Sequence, residues 1–115
     1  MQLARDPSVV AAARRHALDA CRGELDEDRC QSLALAVSEL VTNAIRYGRE
    51  PITLSIEPTR GRVRVEVTDA DPRPLFCEGP DELSTGHRGL LLVAGVCSSW
   101  GWHPTSGGKS VWCEI

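Results

Sequence analysis

The chain has 115 residues, a formal net charge of −3, and a composition that is 42% hydrophobic and 25% charged. This length suits one domain with a single core, and the composition is that of a globular rather than a disordered protein. The slightly acidic balance excludes the broad affinity for nucleic acid or membrane surfaces that a strongly basic chain would have.

The cysteines and the hydropathy pattern narrow the class further. The five cysteines are scattered and odd in number, with no CxxC pair, so a zinc site and a disulfide framework are both disfavoured. No apolar run approaches the roughly 20 residues of a membrane span, and the N-terminus lacks the pattern of a secretory signal. We therefore expect a cytoplasmic protein with reduced cysteines.

The N-terminal segment predicts a short strand and a helix. The strand is expected to end within residues 2–4, and Asp6 followed by Pro7 is typical of an N-cap and a first helical residue. The helix is expected to stop near Gly23. Its apolar positions are Val9, Val10, Ala13, Ala17 and Leu18.

A second, longer helix is predicted to begin at Asp26, which is a suitable N-cap. Gly48 is expected to end it in the left-handed conformation. Apolar residues recur along it at helical spacing: Leu33, Val37, Leu40, Val41, Ala44 and Ile45.

Three polar residues stand in register on this second helix. Glu39 and Asn43 are four apart, and Asn43 and Arg46 three apart, so all three project from one face. Facing inward, they would be costly to desolvate unless a ligand satisfied them. A divalent metal carrying a polyphosphate would do so, because it pairs with an amide oxygen, a guanidinium and a base. The alternative is a solvated face with a weak ion pair.

The remaining elements are predicted from a change in the spacing of apolar residues along the chain. Residues 52–57 and 62–67 alternate apolar and polar side chains around a turn at 58–61, which predicts an antiparallel hairpin. A long loop rich in Pro, Gly and acidic residues follows, over residues 70–85. A short buried helix at 89–97 precedes a second hairpin, whose parts are a strand at 100–103, a turn at 106–109 and a strand at 110–115.

This order of elements predicts an α+β fold. We expect a two-layer α/β sandwich, with a mixed, mostly antiparallel sheet and helices packed on one face. Three polar or glycine-rich segments lie at the ends of its elements: Asp69 at a strand end, 85–89 before a helix, and 107–110 at the last turn. Each also has a purely structural explanation, as a turn-initiating Asp, an ordinary helix start and a hairpin turn.

Together these segments resemble a known family. The stretch 38–48 resembles the N box, 86–93 the second glycine box, and 107–112 the closing strand of the ATP-binding fold shared by DNA gyrase, sensor histidine kinases and mismatch-repair MutL proteins. This GHKL superfamily has the Bergerat fold. The likeness is greatest to its small branch of anti-sigma-factor serine kinases, and it covers nearly the whole chain. Residues 1–115 are therefore expected to form one histidine-kinase-like ATP-binding domain.

The resemblance implies ATP and Mg²⁺ as cofactors and a role for each matched residue. It implies that Asn43 coordinates Mg²⁺, that Glu39 is the general base for an attacking serine hydroxyl, and that Arg46 lies near the phosphates. The adenine amine would be held by Asp69, supported directly or through water by Ser110. The phosphate side would be framed by Gly86, Arg88 and Gly89.

One departure from the family pattern separates two functional hypotheses. The usual Asp-x-Gly-x-Gly box is replaced by Asp69-Ala70-Asp71-Pro72-Arg73, which has no glycine and brings a second carboxylate toward the phosphates. The retained Glu39 favours a protein serine kinase. The altered box favours a catalytically weak or inactive nucleotide-binding module, or a nucleotide-independent one, that regulates a partner by contact.

The partners follow from the resemblance as expectations. A kinase of this branch would phosphorylate a serine of an anti-anti-sigma protein of the STAS type and would control a sigma factor, and so transcription. A homodimer is a further expectation, with apolar positions on the first helix as the place to look. Neither nucleic acid nor a membrane is expected as a partner.

Overall fold

A computed structural model describes residues 1–73 and 88–115. Within them lie five strands and three helices: β1 (Gln2–Leu3), α1 (Val9–Ala20), α2 (Glu27–Tyr47), β2 (Ile52–Thr59), β3 (Arg62–Asp69), α3 (Arg88–Val96), β4 (Ser99–Pro104) and β5 (Lys109–Glu114). The strands form one sheet in the order β1-β2-β3-β5-β4, and every neighbouring pair is antiparallel.

The core lies between this sheet and the helices on one of its faces. On β3, Val63, Val65 and Val67 are buried, and the residues between them are more exposed, as a half-buried strand requires. The central helix α2 contacts α1, α3 and β3. All six apolar positions expected on α2 are buried. The predicted two-layer sandwich with helices on one face is therefore confirmed.

The predicted β2–β3 hairpin is confirmed, with its strands longer than expected. Thr59 pairs with Arg62, so the connection is only two residues long. These residues, Arg60 and Gly61, have φ values of 34° and 80°. Two positive φ angles are typical of the tight turn that matches the twist of a hairpin.

The helix ends show one confirmed prediction and two errors. The Asp26 side chain accepts a hydrogen bond from the Arg29 amide at 2.8 Å, so it is the N-cap of α2 as expected. In contrast, Asp6 does not cap α1, which begins at Val9. The Asp6 carboxylate accepts a hydrogen bond from the Ser8 amide at 2.9 Å and closes a local turn before the helix.

Gly48 was expected to be left-handed, and this is wrong. Its φ of −93° and ψ of −172° are those of extended backbone. A Cβ at this position would lie 2.6 Å from the Ala44 carbonyl oxygen and 2.7 Å from Cγ of Asp69. Glycine is needed here because two neighbours approach the backbone closely.

The C-terminal third matches the expected helix and hairpin to within two residues. The turn between β4 and β5 is closed by a hydrogen bond from the Thr105 amide to the Gly108 carbonyl oxygen at 2.9 Å. No helix within the described residues is long and apolar enough to cross a membrane.

Candidate functional site

The predicted polar face of α2 is present, but its three residues differ in environment. Glu39 and Asn43 are half-buried, whereas Arg46 is exposed. Within residues 1–73 and 88–115, the side chains of Glu39 and Asn43 have no hydrogen-bond or ion-pair partner. The Arg46 guanidinium lies over the Tyr47 ring, 5.4 Å from its centroid. The acid and amide are thus available to a ligand, and Arg46 faces solvent rather than inward as expected.

Asp69 ends β3, as predicted, and its carboxylate lies under the C-terminal end of α2. The side chain is only 3% exposed. Because Gly48 has no Cβ, the α2 backbone leaves room for this carboxylate. A second glycine, Gly108, brings the last turn onto the end of β3, since a Cβ there would overlap the Asp69 carbonyl oxygen. One glycine thus lies against the Asp69 carboxylate and the other against the Asp69 backbone.

Lys109 is the partner of Asp69, and the sequence reasoning missed it. The two residues are opposite each other in the β3–β5 register. The Lys109 Nζ atom donates to Oδ1 of Asp69 and to the Asp71 carbonyl oxygen, both at 3.2 Å. The lysine side chain is only 6% exposed. The sequence analysis predicted two separate hairpins and did not predict that their strands β3 and β5 pair, which is what brings Lys109 opposite Asp69.

Ser110 does not support Asp69. It pairs with Thr68, so its side chain lies on the opposite face of the sheet from Asp69. There its hydroxyl donates to Oε1 of Glu66 at 2.5 Å and accepts from the Thr68 hydroxyl at 3.3 Å. The face that carries Asp69 is occupied by Lys109, one residue earlier.

The Asp71 side chain turns into the interior and is paired within the chain. Its side chain is fully buried, and its amide donates to Oδ1 of Asp69 at 2.8 Å. The Arg73 guanidinium donates to both carboxylate oxygens, with the shortest contact at 2.6 Å. These hydrogen bonds hold the pKa of Asp71 well below its usual range, against the opposing effect of burial.

Arg73 also fastens this segment to α2. One of its terminal nitrogens lies 3.4 Å from the Tyr47 carbonyl oxygen. The Ala70 amide donates to the Arg49 carbonyl oxygen at 2.9 Å. We call Asp69, Asp71, Arg73 and Lys109 the charge cluster. It joins β3, β5 and the end of α2.

The remaining predicted residues lie at the edge of the described structure. Gly86 lies outside the described residues. Arg88 and Gly89 form the first turn of α3, so only their backbone position is described. Their assignment to the phosphate side stays a prediction.

The two ends of the expected nucleotide site differ in how well they would accept ATP with Mg²⁺. Among the described residues, no group of three His, Cys, Asp or Glu side chains could hold a metal. An ion would therefore depend on an amide such as that of Asn43 and on phosphate oxygens, which suits Mg²⁺. That end fits. At Asp69 the fit fails in this conformation, because Oδ1 already accepts from Lys109 and from the Asp71 amide.

Comparison with known proteins agrees with this fold. The sequence matches the model of the histidine kinase-like ATPase domain over residues 3–115. No curated protein matches. Among 27 matching chains of solved structures is the histidine kinase domain from the blue-light activated histidine kinase of Erythrobacter litoralis EL346, with 18% identity and a TM-score of 0.61. The match covers 95% of this chain and 59% of that one, and at this identity it shows the fold alone.

Proposed function

The chain belongs to the histidine kinase-like ATPase domain family, and from that premise we propose that it is an ATP-binding regulatory protein that phosphorylates a protein partner. The observation that carries the proposal is the half-buried pair Glu39 and Asn43 on α2, whose side chains have no partner within the described residues. Partial burial of an acid and an amide without a hydrogen-bond partner costs free energy, and a ligand that bonds to them would offset this cost.

Each residue of this pair has a chemical role in the proposal. Asn43 would hold Mg²⁺ through its amide oxygen. Glu39 would accept the proton that the attacking serine hydroxyl loses, which is the task of a general base. The exposed Arg46 would have to swing from the Tyr47 ring to meet a phosphate. When bound, Mg²⁺ and ATP would supply the phosphoryl group and neutralise part of its charge.

We propose the partners by resemblance to anti-sigma-factor serine kinases. The phosphate acceptor would be a serine of a STAS-type anti-anti-sigma protein, and the regulated protein a sigma factor. A homodimer through α1 has little apolar surface to use, because its exposed apolar residues are alanines. Its larger apolar residues, Val9, Val10 and Leu18, pack partly against the core.

Calorimetric titration with ATP, with and without Mg²⁺, tests the binding step. We expect magnesium-dependent binding at a Kd of about 1 mM or tighter, or about −4 kcal/mol. The variant Asn43→Ala should lose the magnesium dependence. Thr42→Ala, one position along the same helix, is the matched control. Equal binding with and without Mg²⁺ would count against the role of Asn43.

Phosphate transfer is tested separately with radiolabelled ATP and a STAS-type acceptor. Glu39→Gln should bind ATP as the wild type does, because the amide has nearly the same shape. It should transfer phosphate at least roughly a hundredfold more slowly, the usual scale of general-base catalysis. Transfer at the wild-type rate in this variant would remove Glu39 from the mechanism.

A second function is favoured by the charge cluster. Because Asp69 is already paired with Lys109, the folded chain has no need of a nucleotide to satisfy this carboxylate. We therefore keep a nucleotide-independent module, which regulates a partner by contact, as the alternative. Absence of any binding heat from millimolar ATP in the wild type would favour this alternative.

A further inference from the structure

One oxygen of the Asp69 carboxylate is satisfied by donors within the chain. Its Oδ1 atom accepts from Lys109 and from the Asp71 amide, and its Oδ2 atom faces Gly48, where a Cβ would come within 2.9 Å. Since Asp69 and Lys109 are both almost fully buried, a ligand cannot reach this carboxylate while the lysine stays in place.

We propose that Lys109 acts as a resident occupant of the nucleobase end of the site. Its ammonium donates to Asp69 in the way that the exocyclic amine of a nucleobase would. A nucleotide can then use Asp69 only after Lys109 has moved away. This inference rests on the proposed function and on the role that the family resemblance implies for Asp69, which is to hold the adenine amine.

Two chemical reasons favour Lys109 over a nucleobase as the donor to Asp69. An ammonium and an aromatic amine both donate N–H groups to a carboxylate, but only the ammonium also carries a positive charge, so it adds ion-pair attraction to the hydrogen bond. The lysine is also covalently attached to β5, opposite Asp69, so its local concentration is high. A free nucleotide has neither advantage.

The segment after β3 holds the lysine in position. The Asp71 carbonyl oxygen is the second acceptor of Lys109. Asp71 itself is held by Arg73, which also reaches the last turn of α2. Replacement of the family's glycines by Asp71 and Arg73 therefore works together with Lys109, because each residue of the charge cluster supports the next.

Nucleotide calorimetry on three proteins tests this inference. Lys109→Thr removes the ammonium and frees Asp69. Arg49→Thr is the matched control, because Arg49 is exposed, lies 3.8 Å from Asp71 and carries the same charge, but does not contact Asp69. We expect Lys109→Thr to bind Mg²⁺ and ATP at least tenfold more tightly than the wild type. Arg49→Thr should stay within about twofold of the wild type.

Loss of Lys109 leaves two buried carboxylates with fewer cations, so the single variant risks unfolding. The double variant Lys109→Thr with Asp71→Gly removes the second carboxylate and restores a glycine. Thermal unfolding of both variants identifies the folded one. The same tenfold gain is expected from it.

Three outcomes are distinguishable. Binding in the wild type with no gain in the variants overturns the resident-lysine inference and leaves the proposed function intact. Binding in the variants alone supports the inference and favours the nucleotide-independent function for the wild type. Absence of binding in all of them overturns both.

Discussion

At the residue scale, Gly48 is a tightly constrained position between α2 and the Asp69 side chain. A methyl group there would lie within 2.7 Å of both the Ala44 carbonyl oxygen and Asp69 Cγ. We predict that Gly48→Ala lowers the free energy of unfolding by about 1–3 kcal/mol, the usual cost of overpacking. Gly107→Ala is the control, since nothing lies within 4 Å of its added methyl group. Urea unfolding measures both, and equal losses would contradict the packing argument.

Two cysteines in contact should differ in reactivity. Hydrogen bonding between the two thiols lowers the pKa of Cys97, and together with burial it raises the pKa of Cys113. The thiolate is the reactive form, and Cys97 is half-buried whereas Cys113 is fully buried. We predict that iodoacetamide modifies Cys97 before Cys113, as measured by peptide mass spectrometry. Earlier modification of Cys113 would contradict the assignment of the lower pKa to Cys97.

Asp71 should make the stability of the protein depend on acid pH. Its pKa is depressed in the folded state, so its stabilising effect is complete above the unfolded pKa of about 4. Below that value the unfolded chain binds a proton that the folded chain does not bind. Stability from this group then falls by about 1.4 kcal/mol per pH unit until the folded pKa is reached.

We therefore predict a shallower loss of stability between pH 4 and pH 3 for Asp71→Asn than for the wild type. The difference in slope should correspond to about one proton. Urea unfolding at a series of pH values measures it. Identical slopes would mean that Asp71 keeps an ordinary pKa in the folded protein.

At the element scale, the two long helices begin in different ways. The Asp26 carboxylate caps α2 through the Arg29 amide, whereas Ser8, the N-cap of α1, makes no side-chain capping bond. We predict that Asp26→Ala costs about 1 kcal/mol and that Ser8→Ala costs clearly less. Thermal or urea unfolding of the two variants makes the comparison. A larger effect at Ser8 would show that burial at the helix start, rather than capping, sets the cost.

The sequence was most informative where the periodicity was local and strong. The alternation along β2 and β3 and the helical spacing of Leu33 to Ile45 predicted the elements and their buried faces, because each pattern spans several residues. The Asp26 cap was equally local. These features place Glu39 and Asn43 on α2 and Asp69 at the end of a strand.

The sequence was least informative where a long-range contact decided the outcome. Ser110 was expected beside Asp69, but a shift of one residue in strand register exchanges the two faces, and Lys109 lies there instead. The inward turn of Asp71 depends on Arg73 and on the end of α2. The conformation of Gly48 depends on a carboxylate 21 positions away along the chain. No local pattern reports such contacts.

At the scale of the whole molecule, the proposed functions differ in how Lys109 becomes accessible. If it leaves Asp69 only when the whole domain unfolds, a nucleotide cannot use that carboxylate in the folded protein. If the segment at 70–73 lifts locally, a nucleotide can compete. Pro72 and Arg73 lie at the surface, so we expect local opening.

Lys109 can report this opening directly, because it is the single lysine of the chain. We predict that an amine-acylating reagent modifies it slowly in the folded protein, and that the rate is unchanged by urea below the unfolding transition. Local opening exposes little surface, so modification through it depends little on urea. Global unfolding exposes much more surface, so modification through it accelerates steeply with urea. A rate that rises in parallel with global unfolding would exclude access of a nucleotide to Asp69 in the folded wild-type protein, and regulation by contact would then be the function to pursue.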